Sequence, residues 1–137
     1  MRLLVGILLF AMAAGTSADD KTFVTVRVLT ATTANQIAVA AEQACRKKGY
    51  QVSVAVVDRY GNLISFIRDP LSGSHTINVS QSKAYTAATF QGATIELAER
   101  LKFLKGTPGI SLVGGGVPIR VAGFMYGAVG IYGAPRE

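Results

Sequence analysis

QVSVAVVDRYGNLISFIR, residues 51–68, decides the fold. It holds two apolar runs rich in β-branched residues, 52–57 and 63–67, joined by Asp58-Arg59-Tyr60-Gly61-Asn62. Two such runs around a short Asp/Gly/Asn loop predict a β-hairpin. Gly61 suits the left-handed conformation that closes the loop, and Asp58 and Asn62 can bond nearby backbone. Val52, Val54 and Val56 share one face of the first strand, while Ser53, Ala55 and Val57 share the other. An apolar face backed by a small-residue face predicts a sheet covered on both sides.

The flanking chain supplies the covers. Residues 30–48 predict a helix, with Thr33 and Gln36 at capping-box spacing. Its apolar stripe is Ile37, Ala40, Ala41, Ala44 and Cys45, and Gly49 is placed to end it. Upstream, residues 19–29 alternate around Val24, Val26 and Val28, the period of an edge strand or a loose arm. Downstream, Asp69 to Ser74 is turn chemistry, followed by a second helix over 76–90 with Ser74, Thr76 and Asn78 as candidate caps. Gln91-Gly92 breaks it. A third helix over 94–104 carries Leu97, Ala98, Leu101 and Leu104, and ends at Gly106-Thr107-Pro108-Gly109. Residues 117–121 and 124–132 predict a second hairpin turning at Ala122-Gly123, with Pro118 near a strand start or on an edge. Gly127, Gly130 and Gly133 thin the last strand enough for a helix or a neighbouring subunit to approach its backbone. Helix, hairpin, two helices, hairpin is the order of an α+β fold: an antiparallel sheet of two hairpins with helices packed on it.

The 137 residues, half of them hydrophobic and 16% charged, suit one globular domain with one core. Residues 1–18 read as a secretory signal peptide: Arg2, the apolar run 3–14, then Gly15-Thr16-Ser17-Ala18. Cleavage is expected after Ala18, with Gly15 as the alternative site, and a retained N-terminal anchor is the weaker reading. The domain then spans 19–137, in the periplasm or outside the cell. Losing the leader removes only Arg2 among the charges, so the remainder stays net positive, one below the full chain's +6. Such a balance suits acidic small molecules. Basic residues are scattered except Arg46-Lys47-Lys48, which fits a helix C-terminus, and nothing interleaves them with aromatics as nucleic-acid binding requires. The single Cys45 precludes an internal disulfide and reads as a packing residue.

Chemistry-bearing motifs are few. Gly114-Gly115-Gly116 leads into a strand rather than a helix, so a turn or close backbone contact outranks a phosphate loop. One His, one Cys and unclustered carboxylates provide no zinc set and no nucleophile–base pair. Asp58 and Asp69 belong to turns. His75 stands apart, set between a Ser-Gly-Ser segment and a helix start, where an imidazole can face a pocket or simply solvent; histidine is the usual proximal ligand of haem iron. Tyr85, Tyr126, Tyr132 and Met125 read as ordinary helix and strand residues.

SHTINVSQSKAYTAATF (74–90), VSVAVVDRYGNLISFIRD (52–69) and PGISLVGGGVPIRVAGFMYGAVGIYGAP (108–135) closely resemble the GlcG/HbpS-type haem-binding family. The likeness runs from about Leu29 to Pro135, with the blocks in the family's order. It implies an α/β sandwich of profilin-like type that forms homo-oligomers, with haem or a related tetrapyrrole as cofactor. His75 and Thr76 match the family's His-Thr pair near the haem, and His75 would ligate or support the iron. Lys83 and Tyr85 belong to its Lys-Ala-Tyr-Thr block. Four positions depart. Gln81 and Ser82 stand where the secreted haem-binding branch often has two arginines, Ala93 replaces the usual proline before the third helix, and Ala122 replaces an Asp/Glu-type turn residue. The family also commonly continues into one more helix, whereas this chain stops at Glu137. Either that helix is absent, leaving one sheet face or interface bare, or the sequence is a fragment.

The resemblance implies three functional classes. The first is a haem binder or carrier. The second is a haem-degrading enzyme, which needs an electron donor and an open sixth iron position. The third is a non-catalytic accessory or sensor subunit, acting on a membrane sensor partner without haem chemistry of its own. No nucleic-acid partner is expected.

Overall fold

The hairpin forms as its residues dictate. In the computed structural model, which describes residues 22–135, β1 (Ser53–Asp58) and β2 (Leu63–Arg68) pair antiparallel. The Asp58 carboxylate accepts from the Tyr60 and Asn62 amides at 2.8 and 2.9 Å and from the Asn62 side chain at 2.9 Å. Burial pushes this carboxyl up, but the bonds from Asn62, Tyr60 and Gly61 outweigh it and hold Asp58 below the usual carboxylate range. The second hairpin, β3 (Gly116–Val121) and β4 (Phe124–Tyr132), turns through Ala122 at φ 48° and Gly123 at φ 80°. Two successive positive φ values give the turn whose twist matches the strands.

The hairpins join through their inner strands. β1 pairs antiparallel with β4, so the sheet order is β2-β1-β4-β3, and Pro118 lies on the edge strand β3 as expected. Helix α1 (Ala31–Lys47) packs across β1 and β2 on one face. Helix α2 (His75–Thr89) lies across β4, β1 and β3 on the other. Helix α3 (Thr94–Arg100) and a 3-10 turn (Lys102–Leu104) follow it. The third helix is thus shorter than expected, breaking at Leu101, although Leu97 and Leu101 are both buried. This is an α+β fold with an antiparallel sheet between helices. No helix among the described residues is long and apolar enough to cross a membrane.

Two cores follow from the alternation in β1. Val52, Val54 and Val56 are fully buried against Ala34 and Ala38 of α1. Ala55 and Val57, with Ala128 of β4, are buried against Ala84, Ala87 and Ala88 of α2. Each buried valine stabilises by about 1.5–3 kcal/mol. Alanines on both helices let them sit close, and β4 allows still closer approach. A Cβ at Gly130 would overlap the Ser80 carbonyl and the Ala84 amide of α2. On the α1 side, Val117 of β3 remains half exposed.

Several local expectations shift. α1 is capped by Thr30, whose hydroxyl accepts from the Thr33 amide at 3.2 Å, one turn before the expected capping box. Its buried stripe is Ala34, Ala38 and Glu42, with Ile37, Ala41 and Cys45 half buried, whereas Ala40 and Ala44 face solvent. Residues 22–29 form no strand: Phe23 and Val24 are exposed, and only the Leu29 end joins the α1-side core. The signal-peptide segment 1–18 and its cleavage points lie outside the described residues.

Candidate functional site

The chain between β2 and α2 is held before it reaches His75. Asp69 is 4% exposed; its carboxylate accepts from the Leu71 amide at 2.9 Å and pairs with Arg46 of α1 at 3.1 Å. Arg46 also pairs with the buried Glu42 one turn back, and the two carboxylates raise its guanidinium above the ordinary value, Glu42 most. Arg68 donates to the carbonyls of Asp69, Pro70 and Ser72. Thr76 is buried beneath: its hydroxyl donates to the Gly73 carbonyl at 2.6 Å and lies 2.6 Å from Ser53 Oγ and 3.0 Å from Ser72 Oγ. The start of α2 is thereby tied to the start of β1, and a buried hydroxyl keeps its partners.

His75, the first residue of α2, emerges from this platform at the sheet end away from the hairpin turns. It lines a cleft of about 900 Å³. α2 also contributes Lys83, two turns on and only 4% exposed, whose Nζ donates to the Ile131 carbonyl at 3.0 Å. Between them stands Tyr132, the last residue of β4. Its ring centre is 5.9 Å from that of His75 in an edge contact at 79°, and Lys83 Nζ lies 4.6 Å above it. Cation over ring face is the favourable arrangement. The remaining walls come from Cys45 in the last turn of α1, from Lys48 and Tyr50 after it, and from Ile95, Val113 and Ile131 as apolar surface.

The glycine block closes the cleft's far side. A Cβ at Gly115 would sit 2.8 Å from Lys83 Nζ, and one at Gly116 would overlap the Lys83 carbonyl, so bare backbone is required here. This is the close contact expected of the block, and its partner is the lysine. Thr94 fastens the segment, donating to the Val113 carbonyl at 2.7 Å and accepting from the Gly116 amide at 3.0 Å. Burial raises the Cys45 thiol and the Glu42 charge adds to this, against the opposing pull of Lys48; the thiol is accordingly a poor nucleophile.

Of the four candidate residues, His75 and Lys83 share this cleft. Thr76 lies under the platform, and Tyr85 opens elsewhere. The Tyr85 ring covers Gly61 of the first hairpin turn and lines a separate cleft of about 480 Å³ with Asn78, Gln81 and Ser82. Tyr132, Lys48 and Cys45 were not singled out as site residues from sequence. For Tyr132 a signal exists: Ala128, Gly130 and Tyr132 alternate onto the α2 face of β4.

The arrangement pairs an exposed imidazole with two ammonium groups and apolar walls, a combination for a flat, anionic, iron-bearing or aromatic ligand. Comparison with known proteins agrees with the fold. Streptomyces reticuli HbpS, in a double-mutant crystal structure, superimposes with a TM-score of 0.79 at 36% identity, over 91% of this chain and 88% of that one. Protein GlcG of Escherichia coli K12 is 32% identical over 109 residues, 76% of this chain and 81% of GlcG. The crystal structure of a PduOC–haem complex shares the fold alone, at 23% identity and a TM-score of 0.73, over 80% of this chain and 85% of that one. The family described as "Haem degrading protein HbpS-like" matches residues 29–137. With its four-stranded sheet, its helices on both faces and that match, the chain belongs to the HbpS-like family.

Proposed function

We propose that this chain is an exported haem-binding protein and that the cleft between α2 and the end of β4 is its haem site. The single observation that carries the reading is that His75, Lys83 and Tyr132 converge on one cleft of about 900 Å³, within the ~300–1,000 Å³ of ligand sites generally. The residues fit the group. His75 presents an imidazole, the group that usually holds haem iron. Lys48 and Lys83 are positioned for acidic side groups, and Ile95, Val113 and Ile131 offer apolar surface for a macrocycle. Haem when bound supplies a redox-active iron. The chain's own part is to hold His75 on the braced platform, to keep a cation at Lys83 and to cover the ring from water. The family's haem-degrading description and the haem complex of PduOC support the same ligand.

Titrating hemin into the protein while following the Soret band tests this. His75→Ala is expected to weaken binding by about ten-fold or more, the scale for losing a metal contact. An unchanged spectrum and affinity would remove His75 as a ligand. Ascorbate and oxygen then separate the roles: loss of the Soret band with iron release marks degradation, and a persistent band marks storage, transport or sensing.

Export and assembly belong to the same proposal. The leader-like pattern of residues 1–18 supports a mature protein starting at Asp19, which intact-mass analysis of periplasmic or secreted material checks. Exposed Val117 and Val121 on the edge strand β3 support a homo-oligomer. Light scattering that finds a stable monomer of the mature chain overturns that part.

A further inference from the structure

We infer that Tyr132 and Gly73 hold the His75 imidazole in one orientation in the free protein, which makes Tyr132 a positioning residue of the cleft. The inference rests on the haem reading for its purpose, but not for its geometry. His75 is an exposed side chain, and an exposed side chain ordinarily samples several rotamers. Here two different elements confine it. On one side the imidazole lies against the backbone of Gly73: a Cβ there would approach ring atom Cε1 to 2.7 Å and Nδ1 to 2.8 Å, closer than any side chain tolerates. On the other side stands the Tyr132 ring at 5.9 Å and 79°, an edge arrangement that aromatic pairs prefer.

Tyr132 is itself fixed. It pairs across the sheet with Ser53, Lys83 Nζ lies 4.6 Å over its face, and the same Nζ bonds the carbonyl of the adjoining Ile131. The imidazole is thus referenced to the sheet through Tyr132 and to the braced loop through Gly73. The ring nitrogen farther from that Cβ position is Nε2, at 3.8 Å, which leaves it as the nitrogen for a ligand. A ligand group ordered before binding loses less entropy on binding than a free one.

The chain contains one histidine, so proton NMR of the free protein reports on His75 without assignment. In wild type and in Tyr132→Phe, which keeps the ring, the imidazole Cε1–H is expected at the same ring-current-displaced position. Tyr132→Leu is expected to move it to the random-coil position, and to weaken hemin binding about ten-fold, as loss of a supporting contact does, with altered spin-state bands that Tyr132→Phe restores. Gly73→Ala, placed in an exposed loop, displaces the ring from the opposite side and supplies a second variant if Tyr132→Leu does not fold. A random-coil position in the wild type, or identical resonances in wild type and both displacing variants, overturns the inference whether or not hemin binds. Absent hemin binding by a wild type whose resonance responds as expected sinks the haem reading and leaves the positioning intact.

Discussion

Gly130→Ala adds one methyl group at one of the closest backbone approaches among the described glycines, where β4 meets α2. The backbone at Gly130 is not left-handed, so alanine suits its conformation and the effect comes from overlap alone. The methyl group would meet the Ser80 carbonyl and the Ala84 amide, with Ala84 Cβ next at 3.0 Å. Helix backbone cannot rotate aside as a side chain does, so α2 must lift as a unit. Overpacking typically destabilises by about 1–3 kcal/mol, and backbone neighbours place this case near 3 kcal/mol. For a domain of this size that corresponds to a Tm about 10 °C lower. Gly106→Ala is the control, since nothing lies within 4 Å of its Cβ position and φ is +91°. Its penalty is conformational only, about 1–2 kcal/mol. Urea denaturation followed by circular dichroism measures both. Because His75 and Lys83 ride on α2, hemin affinity should fall in Gly130→Ala and stay unchanged in Gly106→Ala. A Gly130 variant as stable as the Gly106 variant would refute the packing argument.

Thr76→Val removes the hydroxyl that links Gly73, Ser53 and Ser72. The stranded buried partners should lower stability by about 1–3 kcal/mol in urea melts without moving the hemin spectrum; a changed spectrum would make Thr76 part of the site. Asp58 is held below the usual carboxylate range, so the unfolded chain takes up its proton first, and its contribution is present above about pH 4 and lost as pH falls through the folded value. The urea midpoint of Asp58→Ala should therefore drop less on acidification than that of the wild type, and an equally steep drop contradicts the assignment. Cys45, raised chiefly by burial, should react with thiol reagents more slowly in the folded protein than in urea, and more slowly still with hemin bound; equal rates would place the thiol in open solvent.

Both hairpins were legible because their signals are local. Alternating valines, the Asp58–Asn62 bonding set and the Ala122-Gly123 turn act within a few residues of one another. The buried stripe of α1 was not. Its alanines look alike at every position, and the residue that breaks the pattern, Glu42, is buried against a guanidinium shared with Asp69, a partner from beyond the hairpin. The third helix was overrun because Leu101 and Leu104 continue the apolar period while the backbone tightens into a 3-10 turn. In the site, His75 could be singled out from chain chemistry, and Lys83 only from the family resemblance. Their meeting at Tyr132 depends on strand β4 pairing with β1, which no neighbouring residue encodes.

The strand order has a consequence for how the molecule is made. β1 occupies the centre of the sheet, yet its second partner is the last strand among the described residues. While the protein is being synthesised, the first hairpin waits with one edge of β1 open and its α2 face only partly walled, until residues 124–132 arrive. An open central edge attracts foreign strands, and long-range pairing of this kind closes late. Premature termination before Phe124 therefore leaves a chain that lacks one of the two central strands of its sheet, rather than a slightly smaller version of the protein.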